Sequence, residues 1–313
     1  MTRKKPIARR HHYISQSYLA RFTDNDTKKG KFFVSEVDTV HVFQTTPSKV
    51  AVIYDFNRID IDGCPSDIAE KAFSQLESDA KNAISNIVIT KKFPNDEDYN
   101  TIVNLICLFK VRHPATRQMF NNAREQAIHK IGDILVSDEK LFNHHFQKMK
   151  EENKKIKDSI SFKKFKSFVE ERKYKIKILP EDNLQHEMKW FENMLTLLGE
   201  RTWSLIIAPS SGPEFICSDN PVILRRKSNQ EGPVGLGTKE TFIFFPLSPY
   251  LGFYGTFENP LEEVVHAKEE NIAAMNSLQT RNAQKHVFSR QKSFILMDKN
   301  EIINIDLLKL KRT

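Results

Sequence analysis

The sequence predicts an α+β protein, with a central helical bundle packed on a mainly antiparallel sheet built from N-terminal and C-terminal strands. Three observations predict it. Apolar residues recur at helical spacing through the middle of the chain, from about residue 65 to Gly199. After Gly199 the chain breaks into short apolar runs separated by Pro, Gly, Ser and Asn. Two runs rich in β-branched and aromatic residues stand ahead of the helices.

The elements follow in order. "KGKFFVSEV" and "TVHVFQT" read as a strand pair around residues 31–45. "PSDIAEKAFSQLESDAKNAISNIVI" reads as a helix whose apolar stripe is Ala69, Phe73, Leu76, Ala80, Ala83, Ile84 and Ile87. Ser66 or Asp67 can cap it, and Asp67 with Glu70 has capping-box spacing. A second helix spans about Asp96 to Lys110 and ends near Arg112, ahead of Pro114. Helical character continues to about Val136, through a Lys-rich insertion over 138–180, and in "DNLQHEMKWFENMLTLL". "RTWSLIIAP", "EFICSD", "PVILRR", "TFIFFPL" and "LGFYGTF" read as strands, followed by a helix near 262–284 and the runs "HVFS" and "SFILM". The chain reads as one domain over 1–313, with a basic arm at 1–10.

Charge and cysteine content narrow the function classes. Net charge is +8. The first ten residues hold five Lys or Arg, and residues 148–177 hold twelve against five acids, so the rest of the chain is slightly acidic. Such a stripe suits a phosphate backbone, or is a solvated helical insertion. The three cysteines are widely spaced and form no CxxC pair, which argues against a zinc knuckle or a disulfide scaffold. No apolar run approaches the ~18 residues of a membrane span, and the basic N-terminus lacks a signal-peptide core. The expectation is a cytoplasmic protein with no membrane partner. GxGxxG, GxxxxGK[ST], GxSxG and HExxH are all absent, so a dinucleotide fold, a P-loop and an α/β-hydrolase are unsupported. "REQAIH" places Arg124 five residues before His129, similar to the Arg-x4–6-His motif of HEPN ribonucleases. About one such match arises by chance in a chain of this composition.

Charges on apolar stripes are the sharper signal. Glu77 falls beside the apolar face set by Phe73, Ala80 and Ile84, and Arg112 lies on the line of Leu105, Phe109 and Thr116. An isolated buried charge costs several kcal/mol, so the two are expected to meet another charge. The meeting is either a structural ion pair or a carboxylate beside a base in a cleft. "ICSDNPVIL" interrupts two apolar runs with Asp219, Asn220 and Pro221, either a capped turn or polar groups mounted at a strand end. His11 and His12, if extended, point to opposite sides, which disfavours a shared metal. Tyr18 and Arg21 align if a helical turn follows.

Taken in order, "HHYISQSYLARF", "QLESDAKNAI", "KVRHPATR", "FICSDNPV", "FPLSP" and "MNSLQTRNAQKHVFS" resemble the bacterial family catalogued as domain of unknown function 4238. The resemblance runs from about residue 9 to residue 290. It carries over to His11, His12, Tyr18, Phe22, Glu77, Arg112, Pro114, Arg117, Ser218, Asp219, Asn220 and Pro221. Ser15 stands where the family usually has proline, and His113 where it usually has threonine. The family name implies positions and no activity.

These readings lead to an expectation of a phosphodiester-cleaving enzyme, a nuclease in bacterial defence or of toxin type. His11 or His12, Glu77, Arg112 and Asp219 would be catalytic. Tyr18, Arg21, Arg117, Asn220, Lys163, Lys164 and Lys166 would bind the nucleic-acid substrate. No metal ligand set is read from the sequence; a divalent metal remains an open cofactor. The alternative is a non-catalytic nucleic-acid-binding or partner-binding module with a structural polar core. A small-molecule hydrolase would instead show a deep apolar pocket.

Overall fold

A computed structural model describes residues 9–39, 41–63, 65–152, 161–228, 232–258 and 262–306. The elements run β1 (Arg10–His12), α1 (Gln16–Leu19), β2 (Phe32–Glu36), β3 (Val42–Thr45), β4 (Val52–Tyr54), α2 (Ile68–Thr90), α3 (Asp96–Val111) and α4 (Pro114–Leu135). They continue with α5 (Glu139–Glu152), α6 (Phe162–Glu170), α7 (Pro180–Gly199), β5 (Thr202–Ile207), β6 (Cys217–Ser218), β7 (Ile223–Arg226), β8 (Thr241–Ser248) and β9 (Leu251–Thr256). β10 (Val264–His266), α8 (Glu269–Asn282), β11 (His286–Ser289), β12 (Ser293–Asp298) and β13 (Glu301–Asp306) complete them. The class is α+β, with mostly antiparallel sheets. Two compact units emerge, one drawn from 1–114 and 180–313, the other from 115–179.

The first unit holds every strand among the described residues. Its four-stranded sheet, in the order β3-β2-β11-β6, joins strands from both ends of the chain. A five-stranded sheet, β10-β5-β9-β8-β7, uses C-terminal strands alone and is antiparallel except for β10 beside β5. β1 pairs with β4, and β12 with β13. The helix expected over 262–284 begins only at Glu269, because Val264 and Val265 extend along β5 instead.

The main core joins α2, α3 and α7 to the five-stranded sheet through Ile84, Ile87, Leu105, Phe109, Leu198, Leu205, Phe245 and Phe253. Each such side chain contributes roughly 1.5–3 kcal/mol on leaving water. The stripe read on α2 buries Ala69, Ala80, Ala83, Ile84 and Ile87, while Phe73 and Leu76 stay partly exposed. Asp67 stands at the α2 N-cap but makes no capping bond; its carboxylate pairs with Lys71 at 3.0 Å, and Glu70 accepts from Asn57 Nδ2 at 2.6 Å. The expected capping box is therefore replaced by two separate contacts. Pro114 opens α4, where its missing N–H costs nothing.

The second unit contains α4 from Ala115, α5 and α6. Phe142 gathers Phe146, Phe162 and Phe165 at ring distances of 5.3, 5.5 and 5.1 Å. Arg172 Nη2 pairs with Asp133 at 2.8 Å. The Lys-rich stretch falls mostly in this unit, and its residues 153–160 lie outside the described ones, as do residues 1–8 of the basic arm.

A glycine marks the tightest packing in the sheet. Trp203 stacks on Phe253 at 4.9 Å, and a Cβ at Gly255 would stand 2.8 Å from the indole. Gly255→Ala is expected to destabilise the first unit by about 1–3 kcal/mol in denaturant unfolding, as overpacked cores do.

Candidate functional site

Glu70, Phe73 and Glu77 occupy one stripe of α2 at i, i+3 and i+7. Arg112, the C-cap of α3, lies across that stripe with only 1% exposure. Its Nη1 meets Glu77 Oε1 at 3.5 Å, its Nη2 stands 4.0 Å from Glu70 Oε1, and its guanidinium lies 4.1 Å over the Phe73 ring. Nη2 also donates to the His12 carbonyl at 2.7 Å, tying β1 to both helices. The planar fork serves carboxylate, carbonyl and ring together, which a lysine could not. Ser15 hydrogen-bonds Glu77 and caps α1, accepting from Ser17 N at 3.2 Å. Proline, usual at this position in the resembling family, could not offer that hydroxyl.

β1 separates the two histidines. His11 is buried, and its Nδ1 accepts the Asn57 N–H at 2.8 Å, which places the ring proton on Nε2. His12 is half-buried, with Nδ1 3.4 Å from Gln16 Nε2. Burial lowers the His12 pKa, against the Ser48 carbonyl that raises it. Glu77 is shifted the other way: burial raises its pKa more than Arg112 lowers it, although a fifth of its side chain still reaches solvent. Lys28, exposed in the loop before β2, acts electrostatically on both groups.

Asp219 belongs to an adjoining network. Its carboxylate accepts the backbone N–H groups of Gln284, Lys285 and His286 at 2.8, 2.8 and 3.2 Å, and the Tyr13 hydroxyl bonds it as well. Burial still raises its pKa. The Asp219 carbonyl pairs with His113 Nε2 at 3.0 Å, and the His113 ring packs edge-on to Tyr13 at 5.7 Å. Asn220 Nδ2 donates to Asn282 O at 3.1 Å, and Asn282 Nδ2 returns a bond to Asn220 O at 2.6 Å. Ser218 Oγ bonds Gln279 Oε1 at 2.8 Å. The Ser-Asp-Asn-Pro segment is thus laced to the end of α8. Consecutive residues join the two networks on both sides: His12 with Tyr13, and Arg112 with His113.

The remaining sequence-selected residues are divided between the two units. Tyr18 is core, its hydroxyl donating to Pro246 O at 2.7 Å and its ring stacked on Phe245 at 5.0 Å. Arg21 reaches α2, donating to Lys81 O at 3.2 Å and to Ser85 Oγ. Arg117, Lys163, Lys164 and Lys166 belong to the second unit; Lys163 and Lys164 are exposed, and Lys166 pairs with Glu170 at 3.7 Å. His129 in that unit has Nδ1 2.9 Å from Tyr174 Oη. Sequence reading missed Ser15, Lys28, Asn57 and Glu70. Glu70 alone left a signal, standing two turns before Glu77 on the same face. Among the described residues no three His, Cys, Asp or Glu side chains form a group able to hold a metal ion. Two cavities, of ≈ 210 Å³ beside Glu214 and ≈ 340 Å³ beside Tyr254, are lined by none of the selected residues.

Two outcomes follow from this geometry. Arg112→Met leaves the largely buried Glu77 carboxylate without its cation and is expected to cost about 3–5 kcal/mol in denaturant unfolding at pH 7. The His113 pKa is pushed down to about 4 by burial, from an ordinary 6.5. A depressed histidine gives stability that is complete above pH 6.5 and is lost as pH falls toward 4. Wild-type stability should therefore drop between those values, and His113→Thr should flatten that part of the profile.

No helix among the described residues is long and apolar enough to cross a membrane. No curated protein and no solved structure matches the chain. A family model described as "Protein of unknown function (DUF4238)" matches residues 10–293, a span that takes in both polar networks. The chain belongs to that family.

Proposed function

We propose that the Glu77–Arg112 centre is an acid–base site that hydrolyses phosphodiesters, with nucleic acid as substrate. The observation that carries the reading is the opposed shift of two residues that Arg112 ties together, one through its carboxylate and one through its backbone carbonyl. Glu77 is held toward its protonated form and His12 toward its neutral form. That is the pairing general acid and general base require. His12 would take a proton from the attacking water as its oxygen bonds phosphorus. The phosphorus–oxygen bond to the leaving group then breaks, and that oxygen takes the Glu77 proton. Arg112 is a positioning residue, fixing Glu77 and the His12 backbone. Lys28 would draw the anionic substrate in, and the lysines of α6 would bind backbone phosphates. A role in bacterial defence or as a toxin is the biological setting this activity suits.

A second reading has its own support. Arg112 is fully desolvated with its terminal nitrogens directed at protein groups, as in a structural polar core. The protein would then bind nucleic acid or a partner without turnover.

Turnover of RNA, single-stranded DNA and duplex DNA, measured with and without added Mg²⁺, separates the two readings. The hydrolytic reading expects cleavage by wild type and a loss of roughly 10²–10⁴-fold in Glu77→Gln and His12→Gln, each still folded by circular dichroism. Undiminished cleavage in Glu77→Gln, or salt-dependent binding without cleavage by wild type, would overturn it. Charge reversal at Lys163 and Lys164 is expected to lower the salt dependence of nucleic-acid binding.

A further inference from the structure

The five-stranded sheet has a filling on each face. Leu205, Phe253 and Phe245 belong to the main core on one side. Alternation along β5, β9 and β8 sends Ser204, Ile206, Tyr254 and Phe244 to the other. There α8 packs on the sheet, and its Ile272, Met275 and Leu278 share an apolar cluster with Ile206, Phe244 and Tyr254.

That packing is incomplete. A cavity of ≈ 340 Å³ lies between sheet and helix, walled by Ile206, Phe244 and Tyr254 from the strands and by Asn271 and Met275 from α8. Small residues keep it open. Ser204 on β5 and Ala267 just after β10 bring little bulk to it. Gly252, opposite Ile206 in the β9–β5 pair, has no side chain, and the Phe244 ring lies where a Cβ would stand. Ring pairs brace the walls: Phe244 packs on Phe215 at 5.1 Å, and Tyr254 stacks on Phe242 at 5.3 Å.

The lining selects its ligand. No charged side chain among the described residues lines the cavity, so an ion entering it would lose its water without gaining a counter-charge. The Ser204 hydroxyl is already spent on the Glu262 carbonyl at 2.8 Å. Two polar groups are left over. The Tyr254 hydroxyl makes no hydrogen bond among the described residues, and Asn271 uses only its Oδ1, which accepts Lys268 N at 3.0 Å. Asn271 is exposed and marks the mouth. An ordered water needs about two to four polar partners, so an apolar molecule with one polar substituent suits this surface better than water does. The volume equals that of roughly eleven bulk waters at about 30 Å³ each, enough for one aromatic ring with a short tail. The lining holds no histidine, carboxylate or thiol to work a reaction, so the site is one of binding.

We propose that this cavity binds a small neutral aromatic molecule, its ring against Phe244, Tyr254 and Met275 and its polar substituent at Tyr254 or Asn271. Aromatic and thioether surfaces both favour a ring. The site shares no residue with the Glu77–Arg112 centre, and the proposal stands whether or not that centre is catalytic.

The test uses the full chain and three probes of one shape: 2-phenylethanol, phenylacetate and 2-phenylethylammonium, titrated calorimetrically at matched ionic strength. 2-Phenylethanol is expected to bind wild type once per chain and to raise its melting temperature. The two ions should bind more weakly by about tenfold or more, having lost their water to an uncharged lining. Ala267→Leu and Val265→Phe add bulk to the cavity and should each lower the affinity for 2-phenylethanol by about tenfold or more. Intermolecular NOEs from the probe's ring to the methyl groups of Ile206 and Met275 in wild type locate it without any substitution, should a variant fold poorly. Failure of 2-phenylethanol to bind wild type, equal binding of the two ions, undiminished binding by the folded variants, or NOEs confined to other methyl groups would overturn the proposal.

Discussion

One guanidinium holds the first unit's polar centre together. Arg112 ends α3, lies across the carboxylate stripe of α2 and grips the backbone of β1. Taking such a cation out of water costs several kcal/mol, recovered only if nearly every direction around it is satisfied. Glu77, Glu70, the Phe73 face and the His12 carbonyl together meet that demand. The constraint radiates outward. β1 must lie where its carbonyl can be reached, so the side chains of His11 and His12 must part, one toward Asn57 and one toward Gln16.

The two networks divide their work along the same pair of dipeptides. His12 and Arg112 serve a centre that keeps some contact with solvent, while Tyr13 and His113 serve one whose carboxylate is enclosed by backbone donors. The first leaves a carboxyl and an imidazole displaced in opposite senses from their ordinary acidities. The second fixes α8 and the four-stranded sheet. The first keeps its titratable groups within reach of solvent, and the second is architectural.

Much of this was readable in the sequence, for identifiable reasons. The α2 and α3 helices announced themselves because their apolar residues repeat at 3.6, and the same repeat exposed Glu77 and Arg112 as charges on the wrong face. The divergence of His11 and His12 was read conditionally, for an extended backbone, and β1 supplies that backbone. What stayed hidden depends on tertiary partners. Asp67 looked like a cap and became an ion-pair partner because Glu70 was needed by Asn57. Ser15, Asn57 and Lys28 carry no periodic signal, since loop residues enter a site only when the fold delivers them. Tyr18 shared a turn with Arg21, yet the aromatic surface of Phe245 claims its ring and a backbone carbonyl its hydroxyl.

The closing of Asp219 by residues 284–286 has a consequence for how the molecule comes into being. The polar centre draws on β1, α2 and the end of α3, but the neighbouring network that fixes Tyr13 and His113 needs backbone from the start of β11. During synthesis the early segments emerge long before their last partners, and no amino-terminal fragment ending before residue 284 can complete the arrangement. Bringing such distant segments together is slow, because the loop must close before its contacts reward it. A ribosome-bound chain therefore carries Tyr13, His113 and Asp219 without their last partners until residues 284–286 have been made, so this part of the architecture is completed only near the end of translation.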